Sequence, residues 1–217
     1  MARSRPALRV AALAALGVGL VACLSFAPAA VAETQHTDDA TGDVWEQLRD
    51  EEGYEIGWGH AGSPDNADVI ATDARHGAHQ ITFTVHVADL ARGPRHDPFI
   101  TQERMVFDHG PGVTAEVHTR LSWRGQSFLF SSVTGNRVRC PGLRHEIDYE
   151  ADTVTVWVPR SCVHHPRWVR YSEIHFAFGG GSTTTPEDDH DYYDNGLNTT
   201  HHRRVNEANL SPRLLRD

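Results

Sequence analysis

The chain has 217 residues and a formal net charge of −9 at pH 7, from 29 acidic against 20 basic residues. Every basic residue is an arginine, which excludes Schiff-base and lysine general-base chemistry. The acidic balance argues against binding nucleic acid or anionic lipid through phosphate contacts.

The chain opens with Arg3, Arg5 and Arg9, continues as an apolar run to Phe26, and offers small residues at Ala30-Val31-Ala32. A charged start, an apolar middle and an A-x-A end predict a secretory signal peptide over residues 1–32. Of 217 residues, 185 then remain, enough for one domain with a real core. An alternative reading takes Leu20-Val21-Ala22-Cys23 as a lipoprotein box with Cys23 acylated, which would tether the protein to a membrane. No other run is apolar enough to span a membrane.

Residues 33–196 are predicted to form a β-sandwich domain, followed by a polar C-terminal tail over 197–217 that is weakly ordered or draped on the surface. Period-two alternation dominates. In Gln80–Val87, Ile81, Phe83, Val85 and Val87 share one face. Val113–Trp123 alternates similarly, with Leu121 and Trp123 read as inward; Ser127–Val133, Thr153–Val158 and Trp168–Phe178 follow. Trp168 is also read as core, and Trp157 lies opposite the valines Val154, Val156 and Val158. Strands with polar outer faces joined by Gly/Asn turns predict an all-β, antiparallel sandwich. Val44–Glu52 is predicted as a short helix and Pro159–His165 as a single turn. Gly179–Thr185 reads as a linker, with an acidic stretch from Glu187 to Asn195.

Once the leader is removed, Cys140 and Cys162 are the only cysteines. An even pair in an exported domain predicts a disulfide, worth about 3 kcal/mol on the chain-entropy estimate for a loop of this size. Their Cα atoms should lie within roughly 7 Å of each other.

Three stretches carry a resemblance. Asp38-Asp39-Ala40-Thr41-Gly42-Asp43-Val44, then Ala67-Asp68-Val69-Ile70 leading into Gln80–Leu90, and most specifically Asp148–Val156 running through Val158-Pro159-Arg160-Ser161-Cys162 to Pro166–Arg170 resemble a group of uncharacterised secreted β proteins of high-GC Gram-positive bacteria. The layout is remotely similar to carbohydrate-binding module family 9 and DOMON-like sandwiches. That resemblance implies a jelly-roll-like sandwich that binds rather than catalyses.

Candidate chemistry falls into three sets. Asp39 and Asp43 cluster around Gly42, and Asp189, Asp191 and Asp194 cluster near the other end; calcium takes six to eight oxygens, which carboxylates on loops supply. If the termini meet, the two clusters share one ion; otherwise they are solvated turns. The second set is His86, His118 and His175, which would form a zinc site if their strands adjoin on one outer face. No HExxH is present, so no local motif supports a protease. The third set is Trp45, Trp58 and Tyr192, read as loop aromatics able to stack on a sugar. The expected function is a secreted, non-enzymatic binding or envelope-associated protein, with carbohydrate as a candidate ligand and no nucleic acid; the alternative is a histidine-based metal-dependent hydrolase.

Overall fold

A computed structural model describes residues 33–92, 98–179, 191–197 and 210–216; the predicted signal peptide, Cys23, Asp189 and most of the Gly179–Asn195 stretch lie outside them. Thirteen strands run β1 Glu33–Asp38, β2 Val44–Arg49, β3 Glu55–Gly62, β4 Val69–His76, β5 Gln80–Val87, β6 Phe99–Phe107, β7 Val113–His118, β8 Gln126–Ser131, β9 Arg144–Asp148, β10 Thr153–Pro159, β11 Trp168–Phe178, β12 Asp191–Asp194 and β13 Leu214–Leu215. A single 3-10 turn, Arg160–Val163, follows β10.

The strands form two antiparallel sheets, the first in the order β1-β4-β5-β10-β9 and the second β3-β2-β12-β11-β6-β7-β8, with β13 paired to β11. Alternation places Ile81, Phe83, Val85 and Val87 of β5 beside Val154, Val156 and Val158 of β10, all essentially fully buried. Met105, Val113, Ala115, Val117, Leu129, Val169 and Tyr171 of the second sheet are buried in the same core cluster. The expected antiparallel sandwich is therefore present. The disulfide is present as well: Cys140 and Cys162 are bonded with Cα atoms 5.3 Å apart, tying the 3-10 turn to the segment that leads into β9.

Several local expectations are corrected. Val44–Arg49 is a strand and not a helix. Val44 and Leu48, four apart, imitate a helical stripe, but β3 and β12 offer pairing partners on either side. β7 ends at His118, so Leu121 is 84% exposed, and Trp123 is a half-buried turn residue. Trp168 is half-buried on the opposite side of its strand from the core residues Val169 and Tyr171, under the Arg213 guanidinium at 4.5 Å. Trp157 lies opposite the valines, as its phase requires, with Arg144 4.0 Å above its ring. The described part of the tail, residues 210–216, is packed rather than draped. Leu210 and Leu214 are buried, Leu214 pairs with Val169, and the Leu214 carbonyl accepts a bond from His76 Nδ1 at 3.1 Å.

Candidate functional site

Two features of the sandwich carry chemistry: a carboxylate-rich end of its interior and an aromatic outer face.

At the acidic end, Asp39 and Asp43 occupy the turn between β1 and β2. Gly42 turns the chain there with φ of +82°, a region that favours glycine. Its N–H donates to both Asp68 carboxylate oxygens at 2.9 and 3.1 Å, and Ser63 Oγ donates to the same carboxylate. The Asp39 N–H is held by the Ile70 carbonyl at 2.9 Å. Asp194 closes β12; its Oδ2 accepts the Val69 N–H at 2.6 Å and its Oδ1 the Asn195 N–H at 2.7 Å. One ligand oxygen each from Asp39, Asp43 and Asp194 lies within 4.8 Å of the others. The two ends of the chain thus bring three of the five proposed calcium ligands together. Asp191 is not among them: it sits on the other face of β12 and pairs with Arg49 at 2.8 Å.

Sequence reasoning missed what lies beneath this turn. Glu103 of β6 and Glu173 of β11 are opposite each other in register and fully buried. The Gly196 N–H donates to Glu173 Oε2 at 2.9 Å. A Cβ on Gly196 would come within 2.6 Å of that oxygen, so only glycine lets the chain after β12 pass this close. Among the described residues, Glu173 Oε1 and both Glu103 oxygens have no hydrogen-bond partner. Desolvation pushes the Glu103 carboxyl up to about 8. Burial raises Asp194 to about 8, helped by the charge of Asp39, and lifts Glu173 well above its ordinary value, helped by Glu103 and Asp194. The signal was available: period two puts Glu103 in phase with Phe99, Met105 and Phe107, and Glu173 with Tyr171 and Ala177.

The three histidines do not meet. His86 is on the outer face of the first sheet, bonded to Asp73 at 2.8 Å. His118 is on the outer face of the second, bonded to Glu116 at 2.6 Å. His175 is fully buried between the sheets: its Nε2–H donates to the Asn66 carbonyl at 2.8 Å and its Nδ1 accepts from Thr101 Oγ1 at 3.1 Å. Burial lowers its pKa to about 4, which keeps the imidazole neutral at pH 7 and leaves Nδ1 to accept from Thr101. The ligand set expected for a hydrolase is thus dispersed by strand phase.

The aromatic face covers the outside of the second sheet. Register aligns Trp45 of β2, Tyr193 of β12, Phe176 of β11, Ile100 of β6 and His118 of β7 across it. Tyr193 stands edge-on between Trp58, with ring centroids 4.7 Å apart, and Phe176, at 4.5 Å. Trp45 packs on His60 at 4.0 Å, and Phe128 on His118 at 5.0 Å. Trp45 and Trp58 are therefore strand residues on this face. Tyr192 is not: it points inward and packs against the core, while its neighbour Tyr193 takes the outer position. The rings are flanked by hydrogen-bonding groups, among them Gln47, Gln102 and Glu116. The chain matches no family model, no curated protein and no solved structure, so the functional reading rests on this geometry.

Proposed function

We propose that the protein is an extracellular, non-enzymatic binding module that takes carbohydrate on the aromatic outer face of its larger sheet. One observation carries the reading: Trp58, Tyr193 and Phe176 form a continuous, half-exposed row across three strands. The apolar face of a pyranose suits such rings, and amide and carboxylate side chains at their edges suit its hydroxyls. Gln47 and Glu55 lie beside Trp58, whose Nε1 donates to Glu55 at 3.0 Å. Farther along, Gln102 donates to Glu116 at 3.0 Å. The rigidity of a sheet keeps these groups spaced as a flat platform, which favours an extended chain over a small enclosed ligand. The leader predicted from the sequence over residues 1–32 and the Cys140–Cys162 disulfide support an oxidising, extracellular setting.

The test is co-sedimentation with insoluble polysaccharides, with cellulose, chitin and peptidoglycan as the first panel. At least one should retain the parent, and Trp58→Ala and Tyr193→Ala should each weaken that binding about tenfold, about 1.4 kcal/mol. Absence of binding throughout the panel, or unchanged retention by the double variant, rejects the assignment to this face.

A further inference from the structure

The acidic end of the interior has a composition that a simple core does not explain. Asp39 and Asp43 come from the β1–β2 turn, Asp194 from the end of β12, and Glu173 from the middle of β11. Oxygens sharing one calcium ion at about 2.3–2.6 Å each are at most about 5 Å apart. The three aspartates, with ligand oxygens within 4.8 Å of one another, meet that limit without any movement of the backbone.

Glu173 supplies an independent observation. Its side chain is fully buried, and the Gly196 N–H two residues past Asp194 holds one oxygen, which turns the carboxylate to the end of β12. The other oxygen, Oε1, is without a hydrogen-bond partner among the described residues, as is the buried Oδ1 of Asp43. After burial, the charges acting on Glu173 are those of Glu103 first, then Asp194 and Asp39. A fold that buries an unsatisfied carboxylate within reach of Asp194 and Asp39 needs a positive charge there or must hold the groups protonated.

We propose that Asp39, Asp43 and Asp194 bind one divalent cation, with the buried Glu173 carboxylate as the fourth anionic group beneath it. The donors are all oxygen, and both cysteines of the described residues are spent in the disulfide, so the set selects calcium over zinc. Asp43 directly precedes Val44-Trp45 at the start of β2, and Asp194 directly follows Tyr193. The ion would therefore tie the β1–β2 turn to β12, clamping the two strands that carry Trp45 and Tyr193. The site stands independently of the carbohydrate reading.

The experiment is a thermal melt of the purified secreted protein in chelator, in calcium and in magnesium, together with terbium luminescence sensitised by the nearby Trp45. Calcium at a hundred times its dissociation constant should raise the parent midpoint by about 5–10 °C, and terbium should luminesce until calcium displaces it. Asp43→Asn and Asp194→Asn should lose both signals, whereas Asp191→Asn, whose carboxylate faces Arg49, should keep them. Asp194 also holds two backbone N–H groups, so if Asp194→Asn fails to fold, Asp43→Asn decides alone. A parent midpoint identical in chelator and in about 10 mM calcium overturns the site. So does a calcium response that survives in Asp43→Asn, because the ion would then sit elsewhere.

Discussion

Two strand pairs lining one interior, one from each of the facing sheets, are built on the same backbone plan and filled with opposite chemistry. Where β5 meets β10, every inward position is apolar: Ile81, Phe83, Val85 and Val87 face Val154, Val156 and Val158 with no polar atom among their side chains. Where β6 meets β11, the same alternation buries Thr101, Glu103, Glu173 and His175. The first pair gains from area removed from water, of order 25 cal/mol per Å². The second is opposed by desolvation of carboxylates, some of whose oxygens make no hydrogen bond. A sheet can carry both because its strands are continuous: Met105, Phe107, Val169 and Tyr171 on the same two strands lie in the core cluster. The apolar pair fixes the fold, and the acidic pair is held in place by it.

Charge introduced into the apolar pair therefore has the largest expected effect. Val156 is fully buried between Phe83 and His145 in register. Val156→Asp would place a carboxylate in an apolar core whose one titratable neighbour in register, His145, is already bonded to the Arg124 carbonyl, at a cost of about 4 kcal/mol. That is a large share of the 5–15 kcal/mol typical of a whole domain. The variant should not accumulate as folded protein and should lack a cooperative melt. A variant that accumulates and melts like the parent would show that the valine strands are not what hold the sandwich.

Charge removed from the acidic pair should act in the reverse direction. Glu103 titrates at about 8 in the folded protein against its ordinary 4.5. Its raised pKa means that the stability it contributes is complete below 4.5 and is lost as pH climbs to about 8. Glu173 and Asp194 are shifted the same way. His175 works against them only at lower pH, because its depressed pKa of about 4 removes stability as pH falls below 6.5. Between about pH 6.5 and 8 the raised-pKa histidines His36 and His109 lose stability in the same sense as the carboxyls, and the metal-free melting midpoint should fall as pH rises. Glu103→Gln keeps the shape without the charge and should flatten that slope, with a gain at pH 7 of at most about 3 kcal/mol. Melts of parent and variant in chelator across this range check it. A variant that melts below the parent at pH 8 would mean that the Glu103 charge is stabilising there.

The apolar pair was the legible one. Strict alternation over Gln80–Val87 and Thr153–Val158 has few competing explanations, and both strands are found where the pattern puts them. The edge region was not. β2 needs β12 and β3 to be a strand at all, and those partners are 142 and 8 residues away by the Arg49–Asp191 and Gln47–Glu55 contacts. The meeting of Asp39, Asp43 and Asp194 could be posed from composition, since acids cluster near both ends of the domain. Glu103 and Glu173 required trusting strand phase over side-chain polarity. Tyr192 and Tyr193 show the same limit at single-residue scale, because two adjacent tyrosines on a strand face opposite ways and only the register of β12 says which is which.

The smallest expected effect concerns an exposed carboxylate, and it sharpens the contrast with the buried ones. On the outer face of the first sheet, Asp73 lies between two histidines, with Oδ1 2.7 Å from His36 Nδ1 and Oδ2 2.8 Å from His86 Nε2. His36 Nε2 is also bonded to Asp38 at 3.1 Å, so both its ring nitrogens face carboxylates and the imidazolium form satisfies them. Bonds to Asp73 and Asp38 raise the His36 pKa. Asp73 moves in the opposite sense from Glu103: against a desolvation cost, bonds to His36 and His86 hold its carboxyl below the ordinary value. The Asp73 contribution is present above pH 3.8 and is lost on acidification, whereas that of His36 is present below 6.5 and is lost as pH rises through its raised pKa. Both act together only in mildly acidic solution. These groups are solvated and screened, and exposed pairs contribute little. Asp73→Asn should therefore shift the melting midpoint by no more than about 2 °C at pH 6, while the His36 titration followed by NMR moves back toward 6.5. A large loss of stability would mean that this outer network supports the fold. An unmoved His36 would assign its shift to Asp38 instead.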